Sequence, residues 1–328
     1  MSKVAVLGAG AWGTTLSILL AENKHEVTLW SYESEIVPQM REFRENKKYL
    51  SGFQLLPVIY ITDKLEEALK NAELVIFAIP AQFLRDVAHK SVPCINPQAL
   101  ILSASKGIEE SSLKRPTEIL KEYLKNDIAA LSGPNLAKEI ARGLIAATVV
   151  ASSNEKNNQV IQKILSSERF RVYTNTDVIG VELGGSLKNI IAIAAGVADG
   201  FGLGDNAKAA LLIRGLAEIS RLGVSLGAQP QTFMGLSGMG DLITTCQSKL
   251  SRNHQVGFAL AKGQKLSEIL SAMQDVAEGV PTCQAAFKLA KQQKVEMPIT
   301  GEVYQVLFEG KDPYRALVSL MSRTPTSE

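Results

Sequence analysis

The sequence predicts an α/β protein: a doubly wound parallel sheet over residues 1–180, followed by an all-helical domain over residues 181–328. Three observations carry this. Short, near-continuous apolar runs alternate with helical patterns through the first half, as strands buried on both faces require. The first 30 residues or so read strand, glycine turn, helix, strand, the length of one βαβ unit. Beyond about Asp177 the strand-like runs stop and the apolar period becomes helical.

The elements follow in order. Residues 3–7 form an apolar strand that runs directly into Gly8-Ala-Gly-Ala-Trp-Gly13, a helix over 14–23 and a second strand over 25–30. Further strands are expected over 74–79, ending at Pro80, and over 99–103, ending near Lys106-Gly107. Three more are expected over 128–131, ending at Ser132-Gly-Pro134, over 146–151 and over 170–173. A helix over 182–198 opens the second domain without a loose linker, and another spans 206–222. Asp205 or Asn206 is placed to cap that second helix, and Gly223 to end it. Helical periods continue over 252–262, 266–273, 282–293, 299–308 and 313–322, and 323–328 read as a loose tail.

Composition narrows the function classes. The 328 residues are 46 % apolar and 21 % charged, which excludes a disordered or fibrous chain. Lys and Arg number 35 against 33 Asp and Glu, and the small surplus is shared evenly between the two halves. Neither half is a basic module, so no nucleic-acid partner is expected. Cys94, Cys246 and Cys283 are odd in number and lack a C-x-x-C, which reads as reduced thiols rather than bridges or a zinc site. No cluster of His, Cys and carboxylates has metal-ligand spacing, so no metal is expected. No signal segment precedes the first strand, and the longest uninterrupted apolar stretch, 190–198, falls short of a membrane span. The expected setting is soluble and cytoplasmic, with no membrane partner.

Gly8, Gly10 and Gly13 make a G-x-G-x-x-G between a strand and a helix. The first permits the tight turn, the second lets backbone approach a pyrophosphate, and the third lets helix pack on strand. The helix start adds unpaired N–H groups for phosphate. An acidic residue about 20 positions on would read the adenosine ribose of NAD. Glu33 stands at that distance, either as that reader or as a plain surface carboxylate. Trp12 in the turn and Phe83 after Pro80 either flank a cofactor or belong to the core.

Lysines supply the remaining chemistry. Lys106 follows a strand end, where α/β sheets place their ligands. Lys188 has Ile191 and Ala192 on its helix face, so it sits at a cleft, is paired, or snorkels. Gly184 and Gly185 one turn earlier are expected to leave space above it. Burial would lower its pKa into the range of a general acid/base. Asp241, after Gly238-Met-Gly240, is a candidate partner for that lysine or a helix cap. Ser251-Arg-Asn253 opens a helix and offers a cation and free N–H groups to a phosphate, or a capping segment with a solvated Arg252. His254 reads as structural.

Taken with Ser105-Lys-Gly107, Leu131-Ser-Gly-Pro134, Val181-Glu-Leu-Gly-Gly-Ser-Leu-Lys-Asn189, Gly204-Asp-Asn-Ala-Lys-Ala209 and Glu278-Gly279, these motifs resemble those of bacterial NAD(P)-dependent glycerol-3-phosphate dehydrogenases. The resemblance covers nearly the whole chain. It implies an N-terminal Rossmann-type domain, a helical substrate domain, and interconversion of dihydroxyacetone phosphate and sn-glycerol 3-phosphate with NAD or NADP. It implies that Lys188 accepts the proton in oxidation and that Lys106 touches both substrate and cofactor. Gly133, Asn135, Asp241, Ser251, Arg252 and Asn253 match substrate-site positions. Ala11, Trp12, Ala137, Arg252, Val276 and Glu278 match cofactor contacts. A homodimer supplying glycerol phosphate to phospholipid synthesis is also implied. The chain departs from the family at Tyr32-Glu33, where many members carry His-Arg, and at Asn135, where Ser or Thr is commoner. Two other readings stay open here: a related two-domain 2-keto or 3-hydroxy acid reductase, and a dinucleotide sensor without catalysis.

Overall fold

A computed structural model describes residues 1–273 and 276–324; part of the expected tail, 325–328, lies outside the described residues. The chain opens with β1 (Lys3–Leu7), α1 (Ala11–Glu22), β2 (Glu26–Trp30) and α2 (Val37–Phe43). A small hairpin of β3 (Glu45–Asn46) and β4 (Leu50–Gln54) leads to β5 (Ile59–Thr62) and α3 (Leu65–Leu69). Then come β6 (Leu74–Phe77), α4 (Ala81–Ser91), β7 (Leu100–Ser103), α5 (Pro116–Tyr123), β8 (Ile128–Ser132) and α6 (Ala137–Ala141). β9 (Ala146–Ala151), α7 (Glu155–Leu165) and β10 (Phe170–Asn175) complete the sheet.

The eight-stranded sheet has the order β10-β9-β8-β7-β6-β1-β2-β5. Alternate residues of β1 enter different cores: Val4 and Val6 pack on one face, Ala5 and Leu7 on the other. Both faces are therefore covered, which is why the strands read as unbroken apolar runs. The sheet is not parallel throughout: β9 pairs antiparallel with β8, and β10 parallel with β9. A parallel return needs a crossover that runs the length of the sheet. The β8–β9 link holds only the five-residue α6, which docks on α1 through Thr15 Oγ1 donating to Ala137 O. The hairpin and the edge strand β5 were not expected from the sequence: residues 45–54 are mostly polar, and Pro57 interrupts the apolar run that ends in β5.

The helical part comprises α8 (Val178–Phe201), α9 (Gly204–Ser225), α10 (Pro230–Phe233), a π-helical turn over Leu236–Gly240, α11 (Asp241–Gln247) and α12 (Arg252–Ala261). α13 (Leu266–Ala272), α14 (Gly279–Gln293), α15 (Pro298–Phe308) and α16 (Pro313–Met321) follow. Asp177 caps α8 by accepting from the Gly180 N–H at 2.9 Å. By length and composition α8 could cross a membrane, contrary to the expectation that no stretch is long enough. Averaging over its glycines and alanines keeps it apolar for longer than its uninterrupted run suggests. In this fold 83 % of that stretch is buried.

The expected caps of α9 are also corrected. Neither Asp205 nor Asn206 caps it, since the helix starts at Gly204, and Gly223 lies inside it. A Cβ on Gly223 would fall 2.1 Å from Phe233 Cζ, so this glycine serves helix packing rather than termination. Glu182 ties α8 to the first half: Arg115 and the Thr117 hydroxyl both bond its Oε2, and the Thr117 N–H donates to Oε1 at 2.8 Å. That fixes the face of α8 carrying Lys188 toward the carboxyl ends of the strands.

Candidate active site

The carboxyl ends of β1, β6, β7 and β8 form one rim. At β1, Gly8 has φ 112° and its N–H donates to Trp30 O at 3.0 Å. A Cβ there would sit 2.4 Å from Ala78 O, and one on Gly13 1.9 Å from Gly8 O. Gly10 faces open space, with nothing within 4 Å of its ideal Cβ position. α1 starts at Ala11 with no side-chain cap on Gly10, so its first N–H groups have no intrahelical acceptor. Open space beside uncapped N–H groups is a cradle for phosphate.

At β7, Gly107 has φ 124° and its N–H donates to Ser186 Oγ at 2.8 Å, while that hydroxyl donates back to Gly107 O. This latch holds the Lys106 turn against α8. Lys106 Nζ donates to Gly133 O at 3.1 Å and to Asp241 Oδ2 at 2.6 Å. From the other side, Lys188 Nζ donates to Asp241 Oδ1 at 2.7 Å and also reaches Thr245 Oγ1. One buried carboxylate thus bridges two lysines, one from each half of the chain. Asp241 is 1 % exposed and Lys188 6 %. Burial lowers the Lys188 pKa to about 8; the Asp241 charge opposes that shift and the Lys106 charge adds to it.

Close packing builds this arrangement. A Cβ on Gly185 would lie 2.1 Å from Ser132 Oγ, and one on Gly184 2.6 Å from Ser237 O. Contrary to the expectation from the sequence, the two glycines therefore leave no free space above Lys188. They admit β8 and the π-helical turn, and that turn delivers Asp241 at the start of α11. Thr245, one helical turn after Asp241, and Ser186, two residues before Lys188, were missed by sequence reasoning. The i, i+4 spacing from Asp241 could have flagged Thr245; a lone helical serine carries no comparable signal.

The second cluster stands at the start of α12. Ser251 Oγ accepts from the His254 N–H at 3.3 Å and so caps the helix. Asn253 Oδ1 accepts from the Gly279 N–H at 2.9 Å, joining α12 to α14. Arg252 Nη1 donates to Val276 O at 3.2 Å. Glu278 lies against the Lys106 turn: a Cβ on Gly107 would meet its Oε2 at 3.0 Å. That oxygen is enclosed and has no hydrogen-bond partner among the described residues, although the residue as a whole is half-buried. Burial raises the Glu278 pKa to about 8, with Arg252 and the Ala81 backbone opposing. An enclosed carboxyl oxygen without a partner beside the strand ends suits the carboxamide of a dinucleotide, as the Gly10 cradle suits its phosphates.

The remaining candidates divide. Gly133, with φ 153°, is joined to the cluster through Lys106. Asn135 is turned toward β9, accepting from Thr148 Oγ1 at 2.9 Å and donating to Ala147 O at 3.4 Å, so its amide is engaged. Ala137 opens α6 beside α1. Trp12 packs partly into the core, whereas Phe83 is 59 % exposed at the start of α4. His254 Nε2 lies 2.7 Å from Asp199 Oδ2, away from both lysines. Burial pushes the Cys246 thiol up to about 12 and raises Cys283 as well, which makes both inert at neutral pH. Among the described residues no group of three or more His, Cys, Asp or Glu could hold a metal ion. An apolar groove of about 1330 Å³ lies elsewhere, among α8, α9, α15 and α16, and includes none of the residues at the strand ends.

Known proteins align with this architecture. Residues 3–158 match the family model described as the NAD-dependent glycerol-3-phosphate dehydrogenase N-terminus, and residues 177–318 match the C-terminus of the same family. Glycerol-3-phosphate dehydrogenase [NAD(P)+] of Thermoanaerobacter sp. is 49 % identical over 99 % of this chain and 98 % of its own length. The enzyme of the same name from Bacillus velezensis is 50 % identical, covering 100 % of this chain and 96 % of its own. The crystal structure of glycerol-3-phosphate dehydrogenase from Coxiella burnetii superimposes with a TM-score of 0.95 at 37 % identity, covering 98 % of this chain and 99 % of that one.

Proposed function

The chain belongs to the NAD-dependent glycerol-3-phosphate dehydrogenase family, and from that premise we propose that the Lys188–Asp241–Lys106 cluster performs its proton chemistry. The enzyme interconverts dihydroxyacetone phosphate and sn-glycerol 3-phosphate with NAD or NADP. The observation that carries the assignment is the buried Asp241 carboxylate shared by two lysines at the strand ends.

A nicotinamide cofactor held at the glycine turn would supply, or take up, the hydride exchanged at the middle carbon of the substrate. Gly8, Gly10 and Gly13, with the N–H groups of Ala11 and Trp12, hold its phosphates, and Ala137, Phe83 and Val276 border it. Glu278, with an enclosed oxygen that has no partner among the described residues, would accept from its carboxamide. The substrate phosphate lies at the start of α12, where Ser251, Arg252 and Asn253 offer a cation and helix N–H groups. Gly133 and Asn135 border the substrate from β8. Remote binding of the phosphate sets the reacting carbon against the lysines. In reduction, Lys188 gives a proton to the oxygen as the carbonyl becomes a hydroxyl; in oxidation the amine takes it back. Lys106 offsets the negative charge developing on that oxygen. Asp241 holds both ammonium groups and keeps the Lys188 pKa from falling further.

The same reading divides the chain near residue 180 into a dinucleotide domain, 1–180, and a substrate domain, 181–328. It makes the protein a cytoplasmic homodimer that supplies glycerol phosphate for phospholipid synthesis. Its partner is a phosphorylated small molecule rather than a nucleic acid or a membrane. The direct test follows NADH and NADPH absorbance, separately, on addition of dihydroxyacetone phosphate. Loss of either signal is expected; no oxidation of either cofactor by the purified protein would overturn the function.

A further inference from the structure

The end of β2 carries a group that the proton chemistry leaves unused. Beyond Trp30 the strand turns: the Ser31 N–H donates to Thr62 O at 2.9 Å and the Ser31 hydroxyl to Glu33 O at 3.1 Å. The Gly8 N–H, donating to Trp30 O at 3.0 Å, sets this end of β2 beside the glycine turn of β1. The Glu33 carboxylate is fixed as well. Lys48 Nζ donates to both oxygens at 2.8 Å, and the Tyr49 hydroxyl donates to Oε1 at 2.8 Å. Burial works against the charge, but the bonds from Lys48 and Tyr49 hold the Glu33 pKa below the usual carboxylate value. Glu33 is therefore an oriented anion rather than a solvated one.

The hairpin that presents Lys48 and Tyr49 is bolted to the glycine turn itself. Asn46 is buried, and its Nδ2 donates to Ala9 O at 2.7 Å and to Thr14 Oγ1 at 2.9 Å. Its Oδ1 accepts from the Tyr49 N–H at 3.2 Å. The chain of contacts from Ala9 through Asn46 and Tyr49 to Glu33 thus ties the phosphate cradle to the carboxylate in fixed register. In such a βαβ unit, the end of the second strand faces the adenosine ribose. A fixed carboxylate accepts a hydrogen bond from a ribose 2′-hydroxyl. A 2′-phosphate would set two anions together, which weakens binding unless cations compensate. Lys48 is already engaged by Glu33. Arg41 and Arg44 of the same lobe donate to the backbone carbonyls of Ile61, Leu55 and Ile59. Tyr32, beside Glu33, is 71 % exposed and offers a ring instead of a cation.

Building on the functional reading above, we propose that this enzyme selects NAD(H) over NADP(H), and that Glu33, clamped by Lys48 and Tyr49, is the residue that selects. The test is equilibrium binding, by calorimetric titration of the full chain with NADH and with NADPH in the absence of substrate. NADH should bind at least about tenfold more tightly than NADPH. Glu33→Ala should narrow that ratio to within about threefold, chiefly by tightening NADPH. Lys48→Ala should widen it, since the carboxylate then faces a phosphate without its counter-charge. Equal or tighter binding of NADPH by the unaltered chain would overturn the proposal. So would a ratio unmoved by Glu33→Ala, or one narrowed by Lys48→Ala. Each of those results is compatible with full dehydrogenase activity, whereas failure of the functional reading would appear as tight cofactor binding without turnover of dihydroxyacetone phosphate.

Discussion

Asp241 Oδ1 lies 2.7 Å from Lys188 Nζ while its other oxygen, Oδ2, holds Lys106 Nζ at 2.6 Å. Two ammonium groups share one carboxylate, so the cluster carries a net positive charge where a negatively charged substrate must arrive. The balance also sets the working pH of Lys188. With its pKa at about 8, the ammonium form dominates at neutral pH and the amine form above it. Reduction needs the ammonium as proton donor, so its kcat/KM should fall as pH rises through about 8. Oxidation needs the amine, and its kcat/KM should rise through the same pH. Initial rates in both directions between about pH 6 and 10 measure this. Parallel limbs in the two directions would remove Lys188 from the proton path.

Asp241→Asn keeps the shape but removes the charge that holds the Lys188 pKa up. Burial and Lys106 then act unopposed, and the alkaline limb of reduction should move to lower pH. A shift of about one unit means roughly tenfold less reduction on the alkaline side. A purely structural role for Asp241 would lower the rate equally at all pH values. Melting temperature should drop too, because a buried ammonium group loses its counter-ion.

Lys188→Ala should lower kcat for reduction by roughly 10²-fold or more, the scale of losing a general acid/base. Affinity for NADH should stay within about twofold, because the Lys188 ammonium bonds Asp241 and Thr245 and none of the residues of the glycine turn. Near-normal turnover by a purified, folded variant would assign the proton to another group.

How much of this was legible in the sequence depends on the kind of signal. The sheet was readable because strands buried on both faces write themselves as apolar runs. The reversed direction of β9 was not, since an apolar run carries no direction and only the shortness of its link hints at it. Lys188 stood out as a charge on an apolar helix face, and Asp241 as the acid after a glycine-rich turn. Ser186 and Thr245 did not, because a hydroxyl on a helix is common and gains meaning only from what folds beside it. Glu33 could be placed by distance from the glycines, but its clamp comes from a hairpin with no periodic signature. Gly184 and Gly185 were noticed for the wrong reason, as openings rather than contact surfaces.

α8 and α12 cross backbone to backbone, and that crossing positions the phosphate end of the site. A Cβ on Gly257 would lie 1.9 Å from Ile193 O, and one on Gly196 2.0 Å from His254 O. Gly257→Ala gains about 1 kcal/mol of helix propensity but forces the helices apart, an overpacking cost of about 1–3 kcal/mol or more. A lower urea midpoint is expected. Because Arg252 and Asn253 open α12, kcat/KM for dihydroxyacetone phosphate should fall as well. An unchanged midpoint would mean that the two helices are free to separate.

Glu278 gives a stability prediction whose sign follows from its position. Its carboxylate oxygen is enclosed and unsatisfied among the described residues, and its pKa is raised to about 8 from an ordinary 4.5. In the unfolded chain it ionises near the ordinary value, so between about pH 4.5 and 8 the folded form binds more protons than the unfolded one. Stability therefore falls as pH rises across that window and levels off above it. Glu278→Gln removes the titration and keeps the shape. The variant without cofactor should match the parent in melting temperature near pH 4.5, then exceed it by a margin that grows up to about pH 8. NADH should bind the variant more weakly above about pH 8, where the parent presents a carboxylate, a stronger acceptor for a carboxamide than an amide is. A variant less stable than the parent at pH 8 would show that the charge is compensated in the folded protein.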